Sequence, residues 1–225
     1  MSTPRPAAVI VLAAGQGTRM RSDRHKVLHP IAAKPMLLHL LDSVAELEPA
    51  HRIVVVGKGR EQVEAAVTGR GVTTAIQADQ KGTAHAVAQA LPALEGFEGN
   101  ILILFGDTPF VEAVTLRAML ARLAAPDAPG IIVLAHTPPD PGAYGRVILA
   151  EGDRIARMVE YKDATEAERA VRLCNSGMMA LSATNLRRWL PQVGNDNAGH
   201  EYYLPDLVTV AASEGVASVA VEGAA

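Results

Sequence analysis

The chain has 225 residues, of which 49% are hydrophobic, and this is enough to build one α/β domain with a sizeable core. The net charge is −3 and the basic residues are scattered, so we expect no nucleic-acid partner and only locally bound small anions. A single cysteine, Cys174, excludes an internal disulfide. No apolar run is long enough to span a bilayer, so we expect a cytoplasmic protein without a membrane partner.

The first 135 residues alternate between short β-branched runs and amphipathic segments. The β-branched runs are continuous rather than alternating, which is typical of strands buried on both faces; they are residues 8–12, 53–56, 101–105 and 131–134. The amphipathic segments predict helices at residues 36–47, 61–67, 83–94 and 115–123. Such alternation predicts an α/β, Rossmann-like fold, with a mostly parallel sheet and helices on both faces.

The second part of the chain has a different pattern. A proline-rich segment at residues 137–142 separates it from the first part, and proline removes the backbone donor that regular structure needs. Beyond it, the sequence predicts short strands at 146–149 and 157–161, a strand around Cys174, and helices at 183–190 and 203–214. We therefore expect one domain, 1–225, in which residues from about 136 onward complete a pocket over residues 1 to about 135.

A glycine-rich turn follows the first predicted strand, and it indicates a phosphate site. Gly15 and Gly17 allow a sharp turn whose backbone N–H groups can approach an anion closely. Arg19 and Lys26 lie in the same loop, which favours joint binding of several phosphates. The turn is not a P-loop, and Met20 stands where a dinucleotide-binding motif has glycine or alanine.

A carboxylate follows the third predicted strand. Asp107 comes directly after residues 101–105 and Gly106, so we expect its side chain at the carboxyl edge of the sheet. Mg²⁺ takes one or two protein carboxylates together with substrate phosphates, and this position suits it. A turn aspartate is the alternative, since Asp-Thr-Pro is also turn chemistry.

Segments spread over nearly the whole chain resemble the uridylyltransferase half of the bifunctional bacterial N-acetylglucosamine-1-phosphate uridylyltransferase/glucosamine-1-phosphate acetyltransferase family. These segments are residues 12–36, 77–86, 105–109, 144–147, 159–165, 175–177 and 201–206. The chain departs from the family pattern at several positions. His25 stands for the usual proline, Ala33 for glycine, Phe105 for tyrosine and Pro205 for threonine.

The resemblance implies a nucleotidyltransferase that joins UMP from UTP to N-acetylglucosamine 1-phosphate, with Mg²⁺ as cofactor. It implies catalytic roles for Arg19, Lys26 and Asp107, with Asp107 as metal ligand. The implied nucleotide-binding residues are Leu12, Ala13, Ala14, Gly15, Lys26, Gln77, Gly82 and Thr83. The implied sugar-binding residues are Phe105, Gly106, Gly145, Glu160, Asn175 and Tyr203. Gln77 carries an amide that can donate to and accept from the uracil imide.

Two alternatives stay open at this point. One is a nucleotidyltransferase of the same fold that uses another nucleotide or sugar phosphate. The other is a nucleotide-binding module without catalysis, because the family's second metal-binding asparagine belongs to a segment that follows the last residue here. The family's acetyltransferase domain, which forms trimers, is also outside this sequence, so we make no prediction of the oligomeric state.

Overall fold

The computed structural model describes residues 5–15, 17 and 20–223, and these residues are organised around a central sheet. The strands, in chain order, are β1 (Ala7–Ala13), β2 (Pro30–Ile31), β3 (Lys34–Pro35), β4 (His51–Val56), β5 (Thr73–Ile76), β6 (Asn100–Phe105), β7 (Ile131–His136), β8 (Arg146–Leu149), β9 (Ile155–Val159), β10 (Cys174–Ser182) and β11 (Ser218–Glu222). Within the described ranges, nine strands form the main sheet, and β2 pairs with β3 in a small hairpin.

The main sheet runs in the order β11-β7-β10-β6-β1-β4-β5. Strands β6, β1, β4 and β5 are parallel neighbours, and β11 is parallel to β7. Strand β10 is antiparallel to both β6 and β7, while β8 and β9 form a hairpin at its side. The expectation of a mostly parallel sheet is therefore confirmed.

The helices pack on both faces of this sheet. They are α1 (Met36–Ala45), α2 (Arg60–Val67), α3 (Thr83–Ala90), α4 (Ala113–Leu123), α5 (Glu166–Arg169), α6 (Ala183–Trp189) and α7 (Leu207–Ser213). Successive side chains of a strand point to opposite faces, so the even-numbered residues of β1 pack with α3, α6 and α7. Its odd-numbered residues pack with α1, α2 and α4. The central strands are therefore covered on both faces, which explains why their runs are apolar throughout.

The structure corrects several predicted boundaries. The predicted helix 83–94 ends as an α-helix at Ala90 and continues as a 3₁₀ turn, because Pro92 has no backbone N–H to donate. The predicted helix 203–214 begins with a 3₁₀ turn at Leu204–Asp206 and is α-helical only over Leu207–Ser213. The strand expected at 157–161 is β9, which begins at Ile155 and ends at Val159 because it pairs with β8 in that register.

Two strands of the main sheet were not predicted from the sequence, and both are edge strands of that sheet. Strand β5 has mixed polarity, and Ala75 is its only buried residue. Strand β11 is the opposite edge strand and pairs with β7 alone among the principal strands. Edge strands bury less side-chain area than central strands, so their hydrophobic signal is weak. Among the helices of the described residues, none is long and apolar enough to cross a membrane.

Candidate active site

A cavity of about 270 Å³ opens at the carboxyl edge of the sheet, where β1, β5 and β6 end. In an open parallel sheet this edge is the usual position for a ligand, because the loops that follow the strands surround it. The structure brings together here every residue that the sequence assigned to the nucleotide. The lining residues are Leu12, Ala13, Ala14, Gly15, Lys26, Val27, Gln77, Gln80, Gly82, Thr83, Ala86, Phe105, Asp107 and Glu201.

One end of the cavity carries a cation and a carboxylate. Lys26 and Asp107 form an ion pair, with 39% and 30% of their side chains exposed. Asp107 is held beside β1 because the neighbouring Gly106 N–H donates to the carbonyl of Leu12 at 2.9 Å. Lys26 and Asp107 are far apart in sequence, and they meet because β6 is the hydrogen-bonded neighbour of β1. This end can therefore bind a phosphate group or a metal ion.

Gly17 shapes the path of the Lys26 side chain. It has a φ of +65°, which glycine adopts without strain. A Cβ atom at this position would lie 2.7 Å from the Cβ of Lys26, so the aliphatic part of the lysine occupies the space that glycine leaves. Arg19, the other predicted catalytic cation, lies outside the described residues.

The opposite end of the cavity carries groups that can bind a base. Gln77 is buried, and its side-chain nitrogen Nε2 lies 3.0 Å from the carbonyl oxygen of Gly82 and 3.0 Å from Nδ1 of His85. The nitrogen therefore donates to the Gly82 carbonyl, and its other side faces the imidazole ring of His85. The family resemblance implies that Gln77 both donates to and accepts from a base; in this structure its oxygen, Oε1, is left to accept.

Gly82 is required at its position by both conformation and space. Its φ is +110°, and a Cβ would lie 2.5 Å from the backbone oxygen of Tyr202. Tyr202 belongs to a segment of the second half that is fixed on the loop between β5 and α3. Its N–H donates to Lys81 at 2.9 Å, and its carbonyl accepts from Ala84 at 2.9 Å. The hydroxyl oxygen of Thr83 accepts from the N–H of Leu204 at 2.9 Å, which leaves its proton available for a ligand.

Four residues that line the cavity were not predicted as site residues: the apolar Val27 and Ala86 and the polar Gln80 and Glu201. Gln80 donates from Nε2 to the carbonyl of Ala14 at 2.6 Å and so connects the loop after β5 to the loop after β1. Glu201 reaches the cavity from the segment before Tyr202. Gln80 and Glu201 both lie inside segments that carry the family resemblance, and this resemblance was the sequence signal by which they could have been identified.

The predicted sugar-binding residues are distributed over more than one place. Phe105 lines the cavity that also contains Lys26 and Gln77, and its ring lies over Gly177, where a Cβ would be 2.6 Å from it. Glu160 and Tyr203 line a second cavity of about 520 Å³. Gly106 contributes the backbone bond to Leu12 described above and lines neither cavity.

Gly145 and Asn175 link the first cavity, through Gly177 and Phe105, to Glu160 in the second. The N–H of Asn175 donates to the carbonyl of Gly145 at 2.9 Å, and its side-chain oxygen accepts from the N–H of Gly177 at 2.8 Å. Gly145 lies against the carboxylate of Glu160, where a Cβ would be 3.2 Å from Oε1. The side-chain amide nitrogen of Asn175 donates to no group that the structure describes, so it can serve a ligand.

Glu160 has an unusual electrostatic environment. Burial raises the pKa of its carboxyl above the ordinary value for glutamate, and the nearby charges of Asp163 and Asp206 raise it further. Burial also raises the pKa of Asp206. A sugar hydroxyl that donates to Glu160 would relieve part of this cost, because a carboxylate is stabilised by each hydrogen bond that it accepts.

These features match a known family of domains. A profile of the MobA-like NTP transferase domain matches residues 9–183. The chain belongs to this family. The residues that line the cavity with Lys26 and Gln77 lie within the matched range, except for Glu201.

This MobA-like NTP transferase domain is also similar to proteins described as bifunctional protein GlmU. It is 60% identical over 210 residues to the protein of Sphingopyxis alaskensis, covering 93% of this chain and 46% of that protein. It is 58% identical over 224 residues to the protein of Rhizorhabdus wittichii, covering 99% of this chain and 49% of that protein. The chain thus spans about half the length of the curated relatives that it matches. The similarity confirms the family resemblance that the motifs indicated.

A solved structure shows the same fold. The inositol-1-phosphate CTP transferase of T. maritima superposes with a TM-score of 0.73 at 16% identity, covering 99% of this chain and 87% of that chain. Identity at this level shows the fold alone. The expectation of a Rossmann-like nucleotidyltransferase fold is therefore confirmed.

Proposed function

We propose that this domain transfers UMP from UTP to N-acetylglucosamine 1-phosphate, which gives UDP-N-acetylglucosamine and pyrophosphate. One observation supports this above the others. A single cavity holds the Lys26–Asp107 pair at one end and the Gln77–Gly82 pair at the other, in a chain 60% identical to a bifunctional protein GlmU. The product is a precursor for peptidoglycan and lipopolysaccharide, and we place its synthesis in the cytoplasm.

The cavity orients the nucleotide by its two ends. The oxygen of Gln77 accepts from the uracil N3–H, and the N–H of Gly82, which has no acceptor among the described residues, donates to the uracil O4. The phosphates then extend along the backbone of residues 12–15 toward Lys26. Backbone N–H groups in a turn with glycine bind anions without a side chain in the way.

The reaction is a displacement at the α-phosphorus of UTP. The attacking oxygen belongs to the sugar phosphate and is ionised at neutral pH, so no general base is needed. The protein has to hold two anions in line and reduce their repulsion. Lys26 contributes a positive charge beside the phosphates, and we retain Arg19 in the same role.

Asp107 fits a divalent cation, and we propose Mg²⁺. Its carboxylate is partly exposed at the cavity wall, and a bound Mg²⁺ takes few protein carboxylates when phosphates supply the other ligands. No cluster of three or more acidic, histidine or cysteine ligands occurs in the part of the chain that the structure describes, so the substrate would complete the coordination. When bound, Mg²⁺ would neutralise phosphate charge as it develops. Asp107 would hold the cation in place of its pairing with Lys26, and the Lys26 ammonium group would then contact phosphate.

The sugar is recognised from the second half of the chain. We propose that Glu160 accepts from sugar hydroxyls and that the Asn175 amide nitrogen donates to the acetamido oxygen. Tyr203, Gly145 and Phe105 complete this side. The raised pKa of Glu160 and the unused amide nitrogen of Asn175 support this placement.

The test is an assay of pyrophosphate release with product identification. The chain is incubated with Mg²⁺ and each pairing of UTP, CTP or dTTP with N-acetylglucosamine 1-phosphate, glucose 1-phosphate or glucosamine 1-phosphate. We expect the highest kcat/KM for UTP with N-acetylglucosamine 1-phosphate. A higher value for another pairing would assign a different substrate, and UTP binding without turnover would indicate a binding module.

A further inference from the structure

The side chain of Gln77 is held in one orientation by two acceptors. Its Nε2 donates to the carbonyl oxygen of Gly82 at 3.0 Å, and a carbonyl can only accept. The same nitrogen lies 3.0 Å from Nδ1 of His85. Since both protons of the amide are used in this way, Oε1 is the atom that Gln77 presents to the cavity that it lines. No donor to Oε1 is found among the residues that the structure describes.

The position of the His85 proton follows from this arrangement. Nδ1 faces an amide NH₂ group, so it must accept, and the proton of the neutral imidazole must lie on Nε2. Gln89, one helical turn further along α3, donates to the backbone carbonyl of His85 at 3.1 Å, and its amide lies 3.4 Å from Nε2. That carbonyl fixes the Gln89 nitrogen as a donor, so Gln89 gives the Nε2 proton of His85 no acceptor. The 3.0 Å contact of Nδ1 with Gln77 is shorter than the 3.4 Å contact of Nε2 with Gln89, and the shorter contact sets the tautomer.

The orientation of Gln77 determines which pyrimidine fits the cavity. Uracil carries an N–H donor at N3, whereas cytosine carries a lone pair there. A fixed acceptor at Oε1 pairs with the first and repels the second. If the amide of Gln77 reversed, its NH₂ group would suit cytosine, but Oε1 would then face the lone pairs of both Gly82 O and His85 Nδ1.

We propose that His85 is a positioning residue for nucleotide choice, because its Nδ1 keeps the acceptor of Gln77 directed at the base. This inference rests on the proposed use of a uridine nucleotide. His85 does not line the cavity, so it acts through Gln77 and not by contact with the ligand.

The test compares kcat/KM for UTP and CTP in the full chain and three variants. His85→Leu removes the acceptor, and His85→Asn retains an oxygen close to the position of Nδ1. His51→Leu is the matched control, because His51 is exposed and lies at the amino end of β4. We expect His85→Leu to reduce the preference for UTP about fivefold, as one hydrogen bond of about 1 kcal/mol is lost. His85→Asn should restore most of the preference, and His51→Leu should leave it unchanged.

An equal decrease of kcat/KM for both nucleotides in His85→Leu would overturn the proposal, since it would show a merely structural role. If the wild-type chain does not turn over UTP, the proposed function is wrong, and the proposal for His85 is tested by binding instead. The UTP-to-CTP ratio of dissociation constants, measured by calorimetry, then tests His85 on the same variants. Nitrogen NMR of the wild-type protein gives an answer even if His85→Leu does not fold. An imidazole with its proton on Nε2 supports the proposal, and a proton on Nδ1 overturns it.

Discussion

Replacing Lys26 with methionine should separate catalysis from stability. Methionine keeps an unbranched side chain of similar length, so it preserves the packing against Gly17 and removes the charge. The Lys26 and Asp107 side chains are 39% and 30% exposed, and an ion pair with this much solvent contact contributes about 0–1 kcal/mol to stability. For a domain of this size, that corresponds to a decrease in Tm of about 2–4 °C at most.

The expected effect on turnover is much larger. A preorganised charge at the reacting phosphates typically contributes about 3–4 kcal/mol to transition-state stabilisation, so kcat should fall by a factor of about 10²–10³. The assay is the initial rate of pyrophosphate release at saturating UTP and sugar phosphate, with Tm measured by calorimetry on the same preparations.

Lys34→Met is the matched control for this prediction. Lys34 forms an ion pair with Asp42, and the two side chains are 34% and 50% exposed, similar to the pair in the cavity. Lys34 does not line the nucleotide cavity, so its replacement should change Tm by a similar amount and leave kcat close to wild type. If Lys26→Met retains near-normal kcat, or if both variants lose activity equally, Lys26 has no special role at the phosphates.

Two further predictions concern the shape and the charge of the site. In Gly17→Ala, the alanine must adopt a φ of +65° and its Cβ must displace the Lys26 side chain. The free energy of unfolding should therefore fall by about 1–2 kcal/mol, which is measured as a lower Tm, and kcat/KM should fall. In a Lys26→Met background, the same change should cost little further activity, and full additivity would contradict the reasoning. Glu160→Gln should raise Tm near neutral pH, because burial and then Asp163 and Asp206 raise the pKa of Glu160 and so penalise its ionised form in the folded state. The Tm difference should vanish below the ordinary glutamate pKa of about 4.3, where Glu160 is neutral in both the folded and the unfolded state. The same variant should have a higher KM for sugar phosphate at neutral pH. Equal Tm values near pH 7 would contradict this explanation.

The buried central strands of the sheet and the glycine-rich turn after β1 could be predicted from local sequence patterns. Residues 8–12 and 101–105 are apolar throughout because strands covered on both faces exclude water from both sides, and this leaves a signal in the sequence alone. Gly15 and Gly17 mark a turn for a local conformational reason. The family resemblance then identified the residues around Gln77 and Asp107 before any contact was known.

Only the tertiary structure showed which of these groups meet and in what chemical orientation. Lys26 pairs with Asp107 because β6 lies beside β1, and strand order depends on long-range packing that no local pattern encodes. Gln77 presents its oxygen because Gly82 and His85 both offer acceptors to its nitrogen, although the sequence allowed either orientation. Local sequence therefore determined the residue types at the edge of the sheet. The directions of their donors and acceptors depend on distant neighbours, and folding alone decided them.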